Sequence, residues 1–282
     1  MKKILFFIDV FGCGGIERFL YNTCKYIDKM KFEVSVLSVV LDENSYYIKM
    51  FDDIGISIDK LIDKKETNVL KRAVNGHKAF KEYLNSISKD VIIHFNISNS
   101  IDMKYAEIAY ELGFSNLIYH SHNSDATSNL KRVAHYLFKS CRCKYSALNI
   151  ACSKKAAIWM YRKKDIYKKN YVIINNAIDA GLYDYNEEKR KKIRKELSVG
   201  DDLLIGNVGR YNIQKNHDFL VDVFYYIHEK RKDSKLLLIG EGELFQHIEL
   251  KIKKLGLDKN VIFIKQTNKV EEYLQAMDVF VL

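Results

Sequence analysis

The sequence of 282 residues has no proline, where ordinary usage would supply about 14, and only one tryptophan. Lysine, isoleucine, asparagine and tyrosine are abundant instead, so the missing proline reads as compositional bias rather than a functional constraint. The five cysteines, Cys13, Cys24, Cys141, Cys143 and Cys152, are odd in number and scattered, with no CxxC pair. This pattern excludes a disulfide framework and a zinc ribbon, and fits a reducing compartment. No apolar run approaches the roughly 18 residues of a membrane span, so membrane contact must be peripheral and a soluble, cytoplasmic protein is expected. The opening apolar run stops at Asp9 with no small-residue cleavage site after it, so residues 4–8 are expected as a buried strand, not a signal peptide.

What is present is enough apolar content, 48%, for about two ordinary domains. Short β-branched and aromatic runs alternate with helical periods, which predicts α/β domains with parallel sheets covered on both faces. Strands are expected at residues 4–8, 33–40, 91–95, 117–120, 148–152 and 171–174, and the pattern restarts at 203–208, 236–239 and 261–264. Ile16, Phe19, Leu20, Thr23, Cys24 and Ile27 form one helical face, and Leu244, Ile248, Ile252 and Leu255 another. The polar stretch 179–202 is the one convincing linker, which places a domain boundary near Tyr183 and gives domains 1–182 and 183–282. Residues 278–282 read as a buried strand with neither turn nor helix after it, so further chain is expected to follow.

The formal charge of +10 is concentrated, because residues 128–170 carry twelve Lys and Arg against Asp165 alone. Interleaved with Tyr136, Phe138, Trp159 and Tyr161, these cations suit either an anionic bilayer or a phosphorylated acceptor, or form the solvated face of two helices. Nucleic acid is not expected as the partner. Lys163, Lys164, Lys168 and Lys169 are the densest group.

Two loops carry the chemistry. The glycine-rich stretch from Asp9 to Gly15 joins the first strand to the first helix, where Gly14 and Gly15 permit either close approach of a phosphate or simply a tight turn. Its spacing, G-x-G-G, is not the GxGxxG of a dinucleotide fold, and no acid except Asp42 sits clearly at the end of the second strand. In the second half, strand 203–208 leads into a loop holding Arg210 and Lys215 before a helix. A planar fork and a point charge there suit a diphosphate and the charge that develops on a leaving nucleoside diphosphate.

At this point four ordered motifs acquire a common source. Val208-Gly209-Arg210 through Gln214-Lys215-Asn216-His217 resembles the VGR...QKN(H/G) segment of glycosyltransferase family 4, and Gly14-Gly15-Ile16-Glu17-Arg18 resembles its GG(I/V)E(R/K) loop. Ile174-Asn175-Asn176-Ala177-Ile178-Asp179 is similar to its (I/V)PNG(I/V)D, with Asn175 where proline is usual. The run from Leu238 to Glu243, with 261–263 and 276–282, follows its VG(D/E)G...NV.F...A.DVFVLPS course.

The resemblance implies a GT-B fold of two Rossmann-like, doubly wound domains facing a cleft, the second incomplete here. It implies donor binding by Gly14, Gly15, Arg210, Lys215, Gly240 and Glu241, and a catalytic-site histidine at His122, favoured over His120. Two histidines at i, i+2 also admit a structural role, or half a metal site completed by Asp125 or His135; no metal and no cofactor are expected. The family's PS..EG....EA...G segment has no counterpart in the 282 residues, so this chain is expected to be inactive as it stands. The implied reaction is retaining, hexosyltransferase-type transfer from a nucleoside-diphosphate sugar to a saccharide or polyprenyl-linked saccharide. Its setting would be capsule or exopolysaccharide synthesis, peripheral to the anionic inner-membrane surface. The alternatives are a nicotinamide-dependent oxidoreductase and a non-catalytic basic module that binds a membrane or a polyanion.

Overall fold

The first strand shows how the chain divides its apolar residues between two layers. Leu5 and Phe7 point into one core with Ile93, Phe95 and Tyr105, while Phe6 and Ile8 point into another with Leu20, Val36 and Phe51. A strand buried on both faces needs a continuous apolar run, and that is what residues 4–8 supply. The computed structural model describes residues 1–63, 69–126, 129–142 and 145–282; Lys144, one of the basic residues counted above, lies outside them.

Two units result, Met1–Ile178 and Asp179–Leu282. In the first, β1 (Lys2–Phe11), α1 (Gly15–Tyr26), β2 (Phe32–Leu41), α2 (Tyr46–Asp53), β3 (Ile58–Ile62) and α3 (Val69–Asn85) form one half. The other half is β4 (Ile92–Ile97), α4 (Lys104–Glu111), β5 (Leu117–Ser121), α5 (Asn129–Arg142), β6 (Leu148–Ala151), α6 (Lys154–Met160), α7 (Lys163–Tyr167) and β7 (Val172–Ile173). The strands pair in parallel in the order β3-β2-β1-β4-β5-β6-β7. The order reverses between β1 and β4, and a doubly wound sheet offers its ligand crevice outside the carboxyl ends of the strands at such a point.

The second unit runs α8 (Glu187–Glu196), β8 (Leu203–Val208), α9 (His217–Lys230), β9 (Ser234–Ile239), α10 (Phe245–Lys254), β10 (Val261–Ile264), α11 (Val270–Ala276) and β11 (Val279–Phe280). Its parallel order is β10-β9-β8-β11, with the switch at β8. Both units are therefore Rossmann-like.

The expected linker 179–202 needs correction, because it contains α8. That helix is capped by the Asn186 side chain on Lys189 N, with Glu187 and Glu188 in its first turn and Arg194 and Lys195 in its last. Only Ile193 and Arg194 are buried, so no apolar stripe announces it. The preceding turn also belongs to the second unit: Asn186 N donates to Gln275 Oε1 at 2.8 Å, and Gln275 Nε2 donates to Asp184 O at 3.2 Å. The units divide four residues earlier than the expected 182/183 boundary.

Candidate functional site

At the switch point of the first sheet, the glycine loop follows β1. Its amides already have an acceptor: Gly12 N donates to Glu17 Oε1 at 2.6 Å, and Gly14 N donates to Glu17 Oε2 at 2.9 Å. Glu17 is buried, one turn into α1. The Gly14 N–H is thus held by a carboxylate of the same chain. Gly15 begins the helix, where first-turn N–H groups have no intrahelical acceptor, and space beside its α-carbon is open. Ser45 Oγ donates to Gly12 O and holds the far side of the loop.

Next to this loop stands a column of three imidazoles. His94 lies in β4 and His120 in β5, with His94 Nε2 and His120 Nδ1 at 3.2 Å. His122 follows β5, stacks on His120 at 4.1 Å between ring centroids, and has Nε2 3.0 Å from Asn96 Oδ1. A carbonyl oxygen only accepts, so His122 carries its hydrogen on Nε2 and leaves a lone pair on Nδ1. His122 Nδ1 and His120 Nε2 are buried without a hydrogen-bond partner, and the Phe19 ring packs across both imidazoles. His122 thus lies just past the carboxyl end of β5 as a neutral imidazole. His94 and Asn96 complete the column and were not foreseen. Their only trace in the sequence is a pair of polar residues two apart in the otherwise apolar β4.

Burial lowers the pKa of all three histidines, that of His120 to about 4. Because folding favours the neutral rings, their stabilising contribution is complete above the unfolded histidine pKa of about 6.5 and is lost as pH falls toward the lowered values. The urea midpoint is accordingly expected to be lower at pH 5 than at pH 7.5, by at least about 1 kcal/mol in unfolding free energy. Equal midpoints would show that the imidazoles are hydrated in the folded protein.

A second feature, also unforeseen, is a carboxyl pair. Asp9 lies near the end of β1 and Asp102 in the turn after β4, where Asn99 Nδ2 donates to Asp102 Oδ2 at 2.9 Å. Burial raises both pKa values; the Asp9 charge raises Asp102 further, while Arg72 and Lys131 draw Asp9 back down.

In the second unit, the loop after β8 carries Arg210 outward and Tyr211 inward. The Tyr211 ring is buried against His217 and Phe245, its N–H donates to Glu241 O at 3.0 Å, and its carbonyl accepts from Leu244 N at 3.0 Å. Gly240 makes this possible: a Cβ there would lie 2.1 Å from Gly209 O. Gly240 and Glu241 therefore act through their backbones, pinning the β9–α10 loop to the Arg210 loop. Lys215 lays its aliphatic stem across the bare α-carbon of Gly209, with Cγ, Cδ and Cε each 3.2 Å from where a Cβ would be. Asn212 Oδ1 accepts from Lys215 N at 3.1 Å, which shapes the intervening turn. Arg210 pairs with Glu243 at 3.2 Å, both largely exposed, an interaction weak enough for a diphosphate to displace.

The basic segment is less uniform than its sequence suggests. Lys163, Lys164, Lys168 and Lys169 are exposed on α7 and just after it. Trp159 and Tyr161 are not surface anchors, which corrects the sequence expectation. Trp159 Nε1 donates to Ser98 O at 3.1 Å, and the Tyr161 hydroxyl donates to Tyr119 O at 2.8 Å inside the core. Tyr136 and Phe138 are at the surface.

With both loops located, the comparisons with known proteins carry direct weight. Residues 188–282, nearly all of the second unit, match the family described as glycosyl transferases group 1. The whole chain aligns at 23% identity with EpsF of Bacillus subtilis, described by name as a glycosyltransferase, covering 73% of it. Over its whole length the chain is similar to family 4-like glycosyltransferases. It is also 24% identical, over 74% of that protein, to a Campylobacter jejuni N-acetylgalactosaminyltransferase whose name specifies a diphospho-undecaprenol-linked substrate. Among solved structures, Anabaena HepE in complex with UDP and glucose superposes with a TM-score of 0.75 at 18% identity, over 99% of this chain and 73% of that one. WaaG, a glycosyltransferase of lipopolysaccharide biosynthesis, gives 0.67 at 15% identity, over 98% of this chain and 74% of that one. These likenesses fix the GT-B fold of this glycosyltransferase, which spans about three-quarters of the length of these relatives.

Proposed function

We propose that this glycosyltransferase moves a hexosyl group from a nucleoside-diphosphate sugar to a saccharide or polyprenyl-linked saccharide, with retention of configuration, in the synthesis of a surface polysaccharide. The observation that carries the proposal is the loop after β8, where Gly209 and Gly240 let Lys215 and Arg210 share one switch point. Arg210 and Lys215 hold the diphosphate and stabilise the charge that grows on it as the glycosidic bond to phosphate breaks. His122, its hydrogen on Nε2 held by Asn96 Oδ1, stands just past the carboxyl end of β5, on the side of the sheet where a doubly wound fold holds its ligand, and lines the place of the transferred sugar. The N–H of Gly15 supplies a donor at the start of α1. The lipid-linked substrate named for the Campylobacter enzyme supports an acceptor presented at a membrane, on whose anionic cytoplasmic face this chain sits peripherally.

Titration calorimetry with UDP tests the phosphate clamp. Arg210→Ala and Lys215→Ala are each expected to weaken binding by about 1.5–3 kcal/mol, the range for hydrogen bonds to charged groups. Binding should also weaken as salt rises. Unchanged affinity in both variants would remove the clamp from the mechanism.

A further inference from the structure

Helix α5 is attached to its domain by the wrong side for an ordinary amphipathic helix. Among residues 129–139, His135 alone is fully buried. Its Nδ1 accepts from Ser100 N at 3.0 Å, its Nε2 donates to Trp159 O at 2.8 Å, and its ring stacks on Trp159 at 3.7 Å. Ser100 Oγ donates to His135 O at 2.6 Å, and Lys139 Nζ donates to Ile158 O at 2.6 Å. The helix therefore docks through polar bonds. Leu130, Val133 and Leu137 recur at i, i+3 and i+7, which puts them on one stripe. That stripe faces solvent, with Leu130 81% and Leu137 71% exposed, and Val133 and Tyr136 each 58%. Ile158 of α6, whose carbonyl holds Lys139, is also exposed.

We infer that the exposed stripe of α5 inserts into the acyl boundary of an anionic bilayer, with the lysines of α6 and α7 meeting the headgroups. This rests on the membrane location proposed above, but not on sugar transfer, and it moves the anchor from the lysines and buried aromatics to α5. Charge selects the occupant. Lys154, Lys155, Lys163, Lys164, Lys168 and Lys169 are all exposed, whereas Asp165, the one acid between 128 and 170, is buried against Arg162. A second copy of this chain would bring the same cations face to face. A single helix standing on the surface is convex and suits a fluid bilayer. An apolar face flanked by cations partitions into such an interface by adding acyl-boundary burial to attraction for acidic headgroups.

The test is co-sedimentation of the full chain with vesicles of phosphatidylcholine alone or mixed with phosphatidylglycerol. Leu130→Ser, Val133→Ser and Leu137→Ser together are expected to lower binding to the mixed vesicles at least about tenfold. These side chains are exposed, so folding should survive; unchanged emission from Trp159, the sole tryptophan, would show that α5 remains docked on it. Changing Lys163, Lys164, Lys168 and Lys169 to Gln is expected to remove the preference for phosphatidylglycerol while leaving weak binding to both vesicles. Wild-type binding by the serine variant, with binding lost in the glutamine variant, would overturn insertion by α5 but keep the membrane location. No vesicle binding by the unaltered chain, or release of it by an acidic soluble protein in preference to vesicles, would overturn both.

Discussion

The Arg194→Met variant is expected to unfold more easily than the parent by about 3 kcal/mol, in the range for removing one partner of a buried charged network. Arg194 donates from Nε to Gly200 O at 3.0 Å, and from Nη1 to Ala276 O at 2.7 Å and to Asp278 Oδ2 at 3.2 Å. Its Nη2 donates to Asp202 O. Methionine would keep the stem packed but take the guanidinium donor from Gly200 O and Asp202 O, leave Ala276 O to Arg190 alone, and weaken the hold on Asp278. That carboxylate also accepts from Leu204 N at 2.8 Å, so it joins β11 to β8. The loss therefore spreads from α8 into the sheet that carries the Arg210 loop. Chemical denaturation of the full chain measures the effect, and a loss below about 1 kcal/mol would mean that water replaces the guanidinium without strain.

Gly240→Ala is expected to cost about 2–4 kcal/mol, as a forced backbone shift does, and to abolish UDP binding with it. Its Cβ would fall 2.1 Å from Gly209 O and 3.0 Å from Gly209 C, atoms that cannot rotate away. The φ of +147° adds a backbone conformation that a side chain disfavours. Since Gly209 underlies Lys215 and precedes Arg210, relief of the clash must displace both cations. Gly15→Ala provides the contrast, because nothing lies within 4 Å of its added Cβ. Thermal melting and UDP calorimetry on the two variants decide the matter: a Gly240→Ala protein that melts and binds like Gly15→Ala would show that the two loops are not held together.

Central strands were legible because burial on both faces requires uninterrupted apolar runs, as in Leu5–Ile8 and Leu236–Ile239. The edge strand β3 was not, since it pairs only with β2 and carries Asp59 and Lys60 toward solvent. Helix α8 reads as a linker in sequence because its contribution to the core is one isoleucine and an arginine whose hydrogen bonds are invisible there. Arg210, Lys215 and His122 are legible in sequence as candidates, since loops at the carboxyl ends of strands are where such sheets hold ligands. Asn96, His94 and the pairing of Asp9 with Asp102 depend on β1, β4 and β5 lying side by side, a relation between residues many positions apart. The aromatics of the basic segment misled for a related reason: Trp159 and Tyr161 have polar tips that a buried carbonyl satisfies as well as water does.

The carboxylate of Glu17 has one more consequence. A loop of glycines is ordinarily floppy, and a ligand that relies on its amides must freeze it, at an entropic cost of about 1–2 kcal/mol for each residue fixed. Here a side chain of the same chain has done the freezing, through Gly12 N and Gly14 N, before any sugar arrives. Gly15 and the start of α1 are thus held in place by the chain's own carboxylate, and affinity for a ligand bound there would not be spent on ordering the loop.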